Sequence, residues 1–290
     1  MTVTASSSTS AAAKKRYARV LSIAGSDSGD GAGIQADLKT CASLGCYGMT
    51  AITAITVQNT LGVTGIHSIP LDTVRGQIDA VVQDIGVDAV KIGMLATPEV
   101  VGVVADAIRR HKIRNVVLDP VMVATSGDRL IAPETAQVLV KELFPLASVI
   151  TPNLDEAAML LGRDIDGIGE LDAAVADLLA MGAPAVLLKG GHLSGDLVMD
   201  VLGQQGQSHG DYLRLQSQRI ATHNGHGTGC TLSSAIASYL AQGLALPEAV
   251  TLARQYILGA IEAGADVYTG QGHGPLNHGY APRAQLVLQD

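Results

Sequence analysis

The 290-residue sequence is 47% apolar and 16% charged, a globular composition on a chain long enough to bury a large core. A net charge of −8 without any long basic run argues against nucleic-acid binding. Apolar runs fall short of the roughly 18 residues of a membrane span. Three cysteines without a CxxC pair point away from disulfides and toward a reduced, cytoplasmic setting.

Residues 1–16 are rich in Ser, Thr and Ala and lack acids and the apolar middle of a secretion signal. They are expected to be a disordered tail, with a short organelle-targeting remnant as the alternative. Residues 17–290 are expected to form a single domain. Residues 19–25 predict a strand, 31–44 a helix and 48–57 a β-rich segment. A loop is expected over 58–62 and a short strand over 63–69. The apolar spacing of Val74, Ile78, Val81, Val82 and Ile85 predicts a helix over 71–85. A strand over 89–95 and a helix over 98–111 follow. The run 115–122 (NVVLDPVM) predicts a buried strand, 133–146 a helix, 149–153 a strand and 154–161 a helix. Further on come a helix over 168–181, a strand over 185–191, and antiparallel strands over 197–202 and 212–220. Helices over 228–241 and 247–265 complete the chain. Such alternation implies right-handed βαβ units and an α/β fold with a mostly parallel sheet covered on both faces. Ligands then bind beyond the carboxyl ends of the strands.

The strongest local signal is the stretch 224–231 (NGHGTGCT), which opens an apolar helix. Bare backbone at Gly225, Gly227 and Gly229 lets successive N–H groups converge on an anion at a helix N-terminus, and Thr228 adds a hydroxyl. Cys230 sits where the first turn begins, so the helix dipole is expected to draw its pKa toward neutrality, where a general base works best. The blander reading is an ordinary helix start with a small buried Cys. The stretch 25–37 (GSDSGDGAGIQAD) joins a strand to a helix and contains no P-loop. It is either a Gly-rich turn or a backbone wall against a flat ring, with Asp37 one turn inside the helix as acceptor for a ring amine. Asp119 ends a strand, where metal–phosphate chemistry sits, or it forms an Asx turn before Pro120. Residues 153–156 (NLDE) spell a capping box as readily as a water-mediated hold on a metal. Lys189 follows a buried strand and either meets a phosphate or snorkels to solvent. The His residues show no metal-ligand spacing.

In order along the chain, these segments resemble the hydroxymethylpyrimidine/phosphomethylpyrimidine kinases of thiamine synthesis, within the ribokinase-like superfamily. The matching motifs are IAGSD with GAGIQADLKT, AITAITVQNT, KIGML, VVLDPVM, SGD, ITPNLDEAAML, LLKGGH, HGTGCTLSSAIA and GHGPLNH. The resemblance implies a ribokinase-like fold and a homodimer. It also implies an enzyme that uses ATP and Mg2+ to phosphorylate 4-amino-5-hydroxymethyl-2-methylpyrimidine and then its monophosphate. On this resemblance Asp37 and Gln58 hold the pyrimidine, while Gly25 and Met94 shape its pocket. Cys230 is the base, and Gly227, Thr228 and Gly229 form the anion hole. Asp119 and Glu156 manage Mg2+, and Asn153 and Lys189 lie near the nucleotide phosphates. Asp30 stands where the family usually has glycine, so a carboxylate there is expected to restrict the turn or repel a phosphate.

The nearest rival is a pyridoxal/pyridoxine kinase of the same superfamily, since both substrates are flat heteroaromatics with a hydroxymethyl group. A non-catalytic vitamin- or nucleotide-binding protein is the rival from another class. A binding module has no need of a base beside an anion hole. A mobile flap is expected over 124–129, around a Ser-Gly-Asp turn.

Overall fold

The computed structural model describes residues 15–123 and 130–289. The expected flap, 124–129, lies outside them. The elements in chain order are β1 (Lys15–Tyr17), β2 (Arg19–Asp27), α1 (Gly33–Ser43), β3 (Tyr47–Asn59), β4 (Gly62–Ser68), α2 (Leu71–Asp84), β5 (Ala89–Ile92), α3 (Pro98–His111) and β6 (Val116–Leu118). They continue with α4 (Pro133–Glu142), β7 (Val149–Ile150), α5 (Leu154–Leu161), α6 (Leu171–Ala180), β8 (Ala185–Leu188), β9 (Leu197–Gln204), β10 (Leu213–Gln218), α7 (Thr228–Ala241), α8 (Leu246–Gly264) and β11 (Val287–Gln289).

Nine strands form one sheet in the order β10-β9-β8-β7-β6-β5-β2-β3-β4. Pairing is parallel from β3 through β8 and antiparallel at both flanks. Alternate residues of one strand enter opposite cores, as a period of two requires. Leu21, Leu118 and Ile150 pack with α2, α3, α4 and α6. Val20, Val117 and Val149 pack against α7 and α8. The first crossover leaves β2 toward β3, whereas β5 and its successors build the other side. This order puts a switch point between β2 and β5, and a crevice at their carboxyl ends.

Three local expectations are corrected. The strand begun at 48 continues through Gln58 to Asn59, because Gln58 pairs with Val63 across a tight hairpin; the loop is correspondingly shorter. The helix expected over 133–146 stops at Glu142 and passes into a 3-10 turn, Phe144–Leu146, since Pro145 lacks the N–H that an α-helix would use. Lys15 and Arg16, expected in the tail, belong to β1, which pairs antiparallel with β11. Arg16 and Arg19 both bond the Asp88 carboxylate, at 2.7 and 3.0 Å, and so fasten this entry segment to the start of β5.

Candidate active site

The carboxyl ends of β2, β5, β6 and β8 and the first turn of α7 enclose a cleft of about 590 Å3. Its centre is the turn itself. Gly227 takes φ +83°, a left-handed conformation, and a Cβ there would stand 1.9 Å from the Gly31 carbonyl oxygen. Only glycine therefore lets the loop pass under the first Gly-rich turn and enter α7. The opening N–H groups of α7 have no partner inside the helix, and the residues that carry them, Gly227 to Cys230, line the cleft. The Thr228 hydroxyl donates to the Gly225 carbonyl at 2.6 Å, which fixes the turn. From outside, the GHGPLNH motif braces the same turn: His278 Nε2 lies 2.9 Å from Thr231 Oγ1, and Tyr256 donates to the His278 carbonyl. Burial pushes the His278 imidazole down to about 4, so this brace is uncharged at neutral pH.

Opposite the turn stands a row of alternating charges. Lys189 donates to Asp119 at 2.9 Å, and Thr151 donates to the same carboxylate at 3.1 Å. A Cβ on Gly229 would meet Lys189 Nζ at 3.1 Å and Asp119 at 3.4 Å, which shows how closely this row approaches the opening turn of α7. Burial opposes the charge on Lys189, but Asp119 and Glu156 outweigh it and keep the ammonium protonated. Asn153 and Glu156 form a reciprocal capping box with both bonds at 2.8 Å, and both line the cleft. The cap and the cleft position are thus compatible. Burial pushes the Glu156 carboxyl up to about 7; Lys189 opposes this and Asp119 adds to it.

One end of the cleft carries Gly25, Gln58 and Met94. Sequence reasoning missed His226 and Asp27 there. His226 Nε2 lies 2.8 Å from Asp27 and 3.4 Å from Gln58 Nε2. Asp27 also accepts the Gly29, Gly31 and Ala32 amides, so one carboxylate shapes the whole Gly-rich turn. Burial works against its ionisation, but the His226 and amide bonds prevail and hold it below the ordinary carboxylate range. The two residues are 199 apart in sequence. Their only signal was that each sits in a Gly-rich loop at the start of a helix. The far end adds a second missed group. Asp200 accepts from Arg254 at 2.6 Å and from the Gly190 amide at 2.9 Å, fixing the backbone just after Lys189.

Three site expectations are corrected. Asp37 does not reach the cleft: it is 0% exposed, paired with Lys91 beneath the floor, and is taken up by protein partners. The Cys230 thiol is not drawn toward neutrality. Burial outweighs the helix dipole and pushes it up to about 11, against the opposing pull of Lys91. Asp30 neither lines the cleft nor distorts the turn; it adopts φ +66° with its carboxylate turned out to Lys39 at 3.0 Å. Asp tolerates the left-handed region better than most residues. Cys230, Gly227, Thr228, Gly229, Asp119, Lys189, Asn153, Glu156, Gly25, Gln58 and Met94 all border the one cleft.

The phosphomethylpyrimidine kinase family matches residues 27–277. The chain belongs to this family. It is 52% identical over 260 residues to the hydroxymethylpyrimidine/phosphomethylpyrimidine kinase of Rhizobium meliloti, covering 89% of this chain and 96% of that one. The solved phosphomethylpyrimidine kinase of Clostridium difficile is 42% identical with a TM-score of 0.73, over 84% of this chain and 99% of that one. A Bacillus subtilis pyridoxal kinase, solved as an ADP complex, is 39% identical with a TM-score of 0.83, over 91% and 98%. The fold is accordingly that of the ribokinase-like vitamin kinases.

Gly227→Ala combines a left-handed backbone with a collision against Gly31, so it is expected to cost at least about 2 kcal/mol. Urea unfolding at constant m checks this; an unchanged midpoint contradicts the geometry.

Proposed function

We propose that this chain transfers the terminal phosphoryl group of ATP to the hydroxymethyl group of 4-amino-5-hydroxymethyl-2-methylpyrimidine, and then to the monophosphate, in thiamine biosynthesis. The observation that carries the reading is the first turn of α7. A thiol and bare amides there meet Asp119 and Lys189 between a ring-sized end and a polar end of one cleft, in a chain of the phosphomethylpyrimidine kinase family.

Phosphoryl transfer needs positioning and charge neutralisation more than covalent help. In this reading Gln58, with His226 beside it, holds the ring edge and Met94 its face. The Cys230 thiolate removes the hydroxyl proton as the alcohol oxygen bonds to the γ-phosphorus. The bond from that phosphorus to the β,γ-bridging oxygen breaks, and ADP leaves with its electron pair. The proton on sulfur then passes to solvent. The amides at Gly227–Cys230 stabilise the migrating group, and Lys189 neutralises charge beside it. Asp119 and Glu156 suit Mg2+, which is usually held by one or two carboxylates together with substrate phosphates rather than by a full protein cage. Bound there, the ion would neutralise phosphate charge.

The pyridoxal kinase reading stands second, because a protein of that name has a closely similar fold. ADP release measured with each pyrimidine substrate and with pyridoxal decides between them; the pyrimidines are expected to turn over faster. The monophosphate is already an anion and needs no base. Cys230→Ala should therefore slow the first phosphorylation by about 10²–10⁴-fold and the second by much less. Near-parental turnover of the alcohol would remove Cys230 from the base role.

The raised thiol and carboxyl both have pH consequences. The thiolate is the active form of Cys230, and ionised Glu156 the better cation ligand. A raised pKa means each form appears only at higher pH. The kcat/KM for the alcohol is expected to climb from pH 6 through pH 9 without a maximum near neutrality. A flat profile over that range contradicts the assignment.

A further inference from the structure

Charged side chains are almost never fully buried unless paired. Lys91 and Asp37 are both 0% exposed, and the mechanism above uses neither. Lys91 Nζ donates to both Asp37 oxygens at 2.8 Å. Asp37 also accepts from Ser22 at 2.5 Å and from Ser234 at 2.6 Å. One carboxylate on α1 thereby joins β2, β5 and α7. Replacing such a pair by apolar residues is often neutral or stabilising, so stability alone does not account for it.

Its position relative to Cys230 does. Ser234 follows Cys230 by four residues on α7, and Asp37 follows Gly33 by four on α1. Each couple therefore shares one helix face. One turn deeper than Cys230, Ser234 donates to Asp37. That contact ties α1 to α7, with the Lys91 ammonium bonded to the same carboxylate. The charged groups that act on the thiol are Lys91 from β5, Asp37 from α1, Asp119 after β6 and Lys189 after β8. Among them Lys91 exerts the largest pull toward the thiolate.

We propose that Lys91 and Asp37 are positioning residues for phosphoryl transfer: they lock the opening turn of α7 to α1 and place a fixed positive charge beneath the Cys230 sulfur. The proposal builds on the reading of Cys230 as the base. It gives the KIGML motif a role in tuning the nucleophile's proton acceptor rather than in lining the pocket.

The test uses the full chain in two variants. Lys91→Met with Asp37→Asn removes both charges and keeps an acceptor for Ser22 and Ser234. Asp37→Asn alone leaves the ammonium with the thiol as a nearby negative partner. Iodoacetamide alkylation of Cys230 at pH 8, located by peptide mass spectrometry, reports the thiolate apart from Cys41 and Cys46. The double variant is expected to alkylate about tenfold more slowly, the equivalent of one pKa unit. Its kcat for the alcohol should fall by a similar factor, with KM for the pyrimidine nearly unchanged. The single variant is expected to alkylate several-fold faster. Opposite signs support the proposal, because loss of packing would move both variants the same way. Alkylation near the parental rate in both, or slowed in both, overturns it. If the double variant does not fold, the single one decides: faster alkylation supports the proposal, and an unchanged or slower rate overturns it. Alkylation that shifts as expected while kcat holds would uphold the charge placement and refute the base role of Cys230 instead.

Discussion

The direction of the first turn of α7 governs the rest of the cleft. Gly227 must take a left-handed conformation for the chain to pass beneath Gly31 and begin the helix. That single backbone choice brings the opening turn of α7 beside Asp119 and Lys189 and sets Cys230 at the cleft wall. The surrounding bonds brace it. Thr228 closes the turn from within, His278 through Thr231 holds it from outside, and Ser234 ties the next turn to α1. Preorganised donors of this kind need no reorganisation when charge develops, which is why they suit phosphoryl transfer.

Electrostatics follows from where this turn meets the strand ends. Asp119, Lys189 and Glu156 form a row in which each charge moderates its neighbour. Below them, Lys91 and Asp37 form a second, sealed pair. The cleft thus gathers cationic and amide groups on a protein of net charge −8. Local donors and a few cations do what bulk charge cannot. Burial is the common cause of the unusual protonation here: it raises the Cys230 thiol and the Glu156 carboxyl alike.

Much of this was legible in the sequence, and the reasons are local. Alternating apolar runs announced the parallel sheet, and glycines before an apolar helix announced the turn that borders the cleft. Motifs at strand ends picked out Asp119, Asn153 and Lys189. What escaped depended on pairs distant in sequence. The sequence placed Asp37 one turn inside a helix as a ligand acceptor, but could not show that Lys91, 54 residues on, would meet it there. The His226–Asp27 bond and the Asp200–Gly190 contact were hidden for the same reason. The thiol was misjudged because sequence displays a helix N-terminus but not the depth at which it lies. Pro145 did carry a visible signal, since a proline inside an expected helix marks its end.

The central claim is that the Cys230 sulfur faces the substrate hydroxyl beside the anion hole. A crystal structure with a non-hydrolysable ATP analogue and the hydroxymethylpyrimidine tests it most directly. The account predicts that the hydroxymethyl oxygen lies within hydrogen-bond reach of that sulfur, directly or through one water, with the γ-phosphate on the α7 amides. An alcohol turned to another side chain, with the sulfur more than a water's width away, would contradict it.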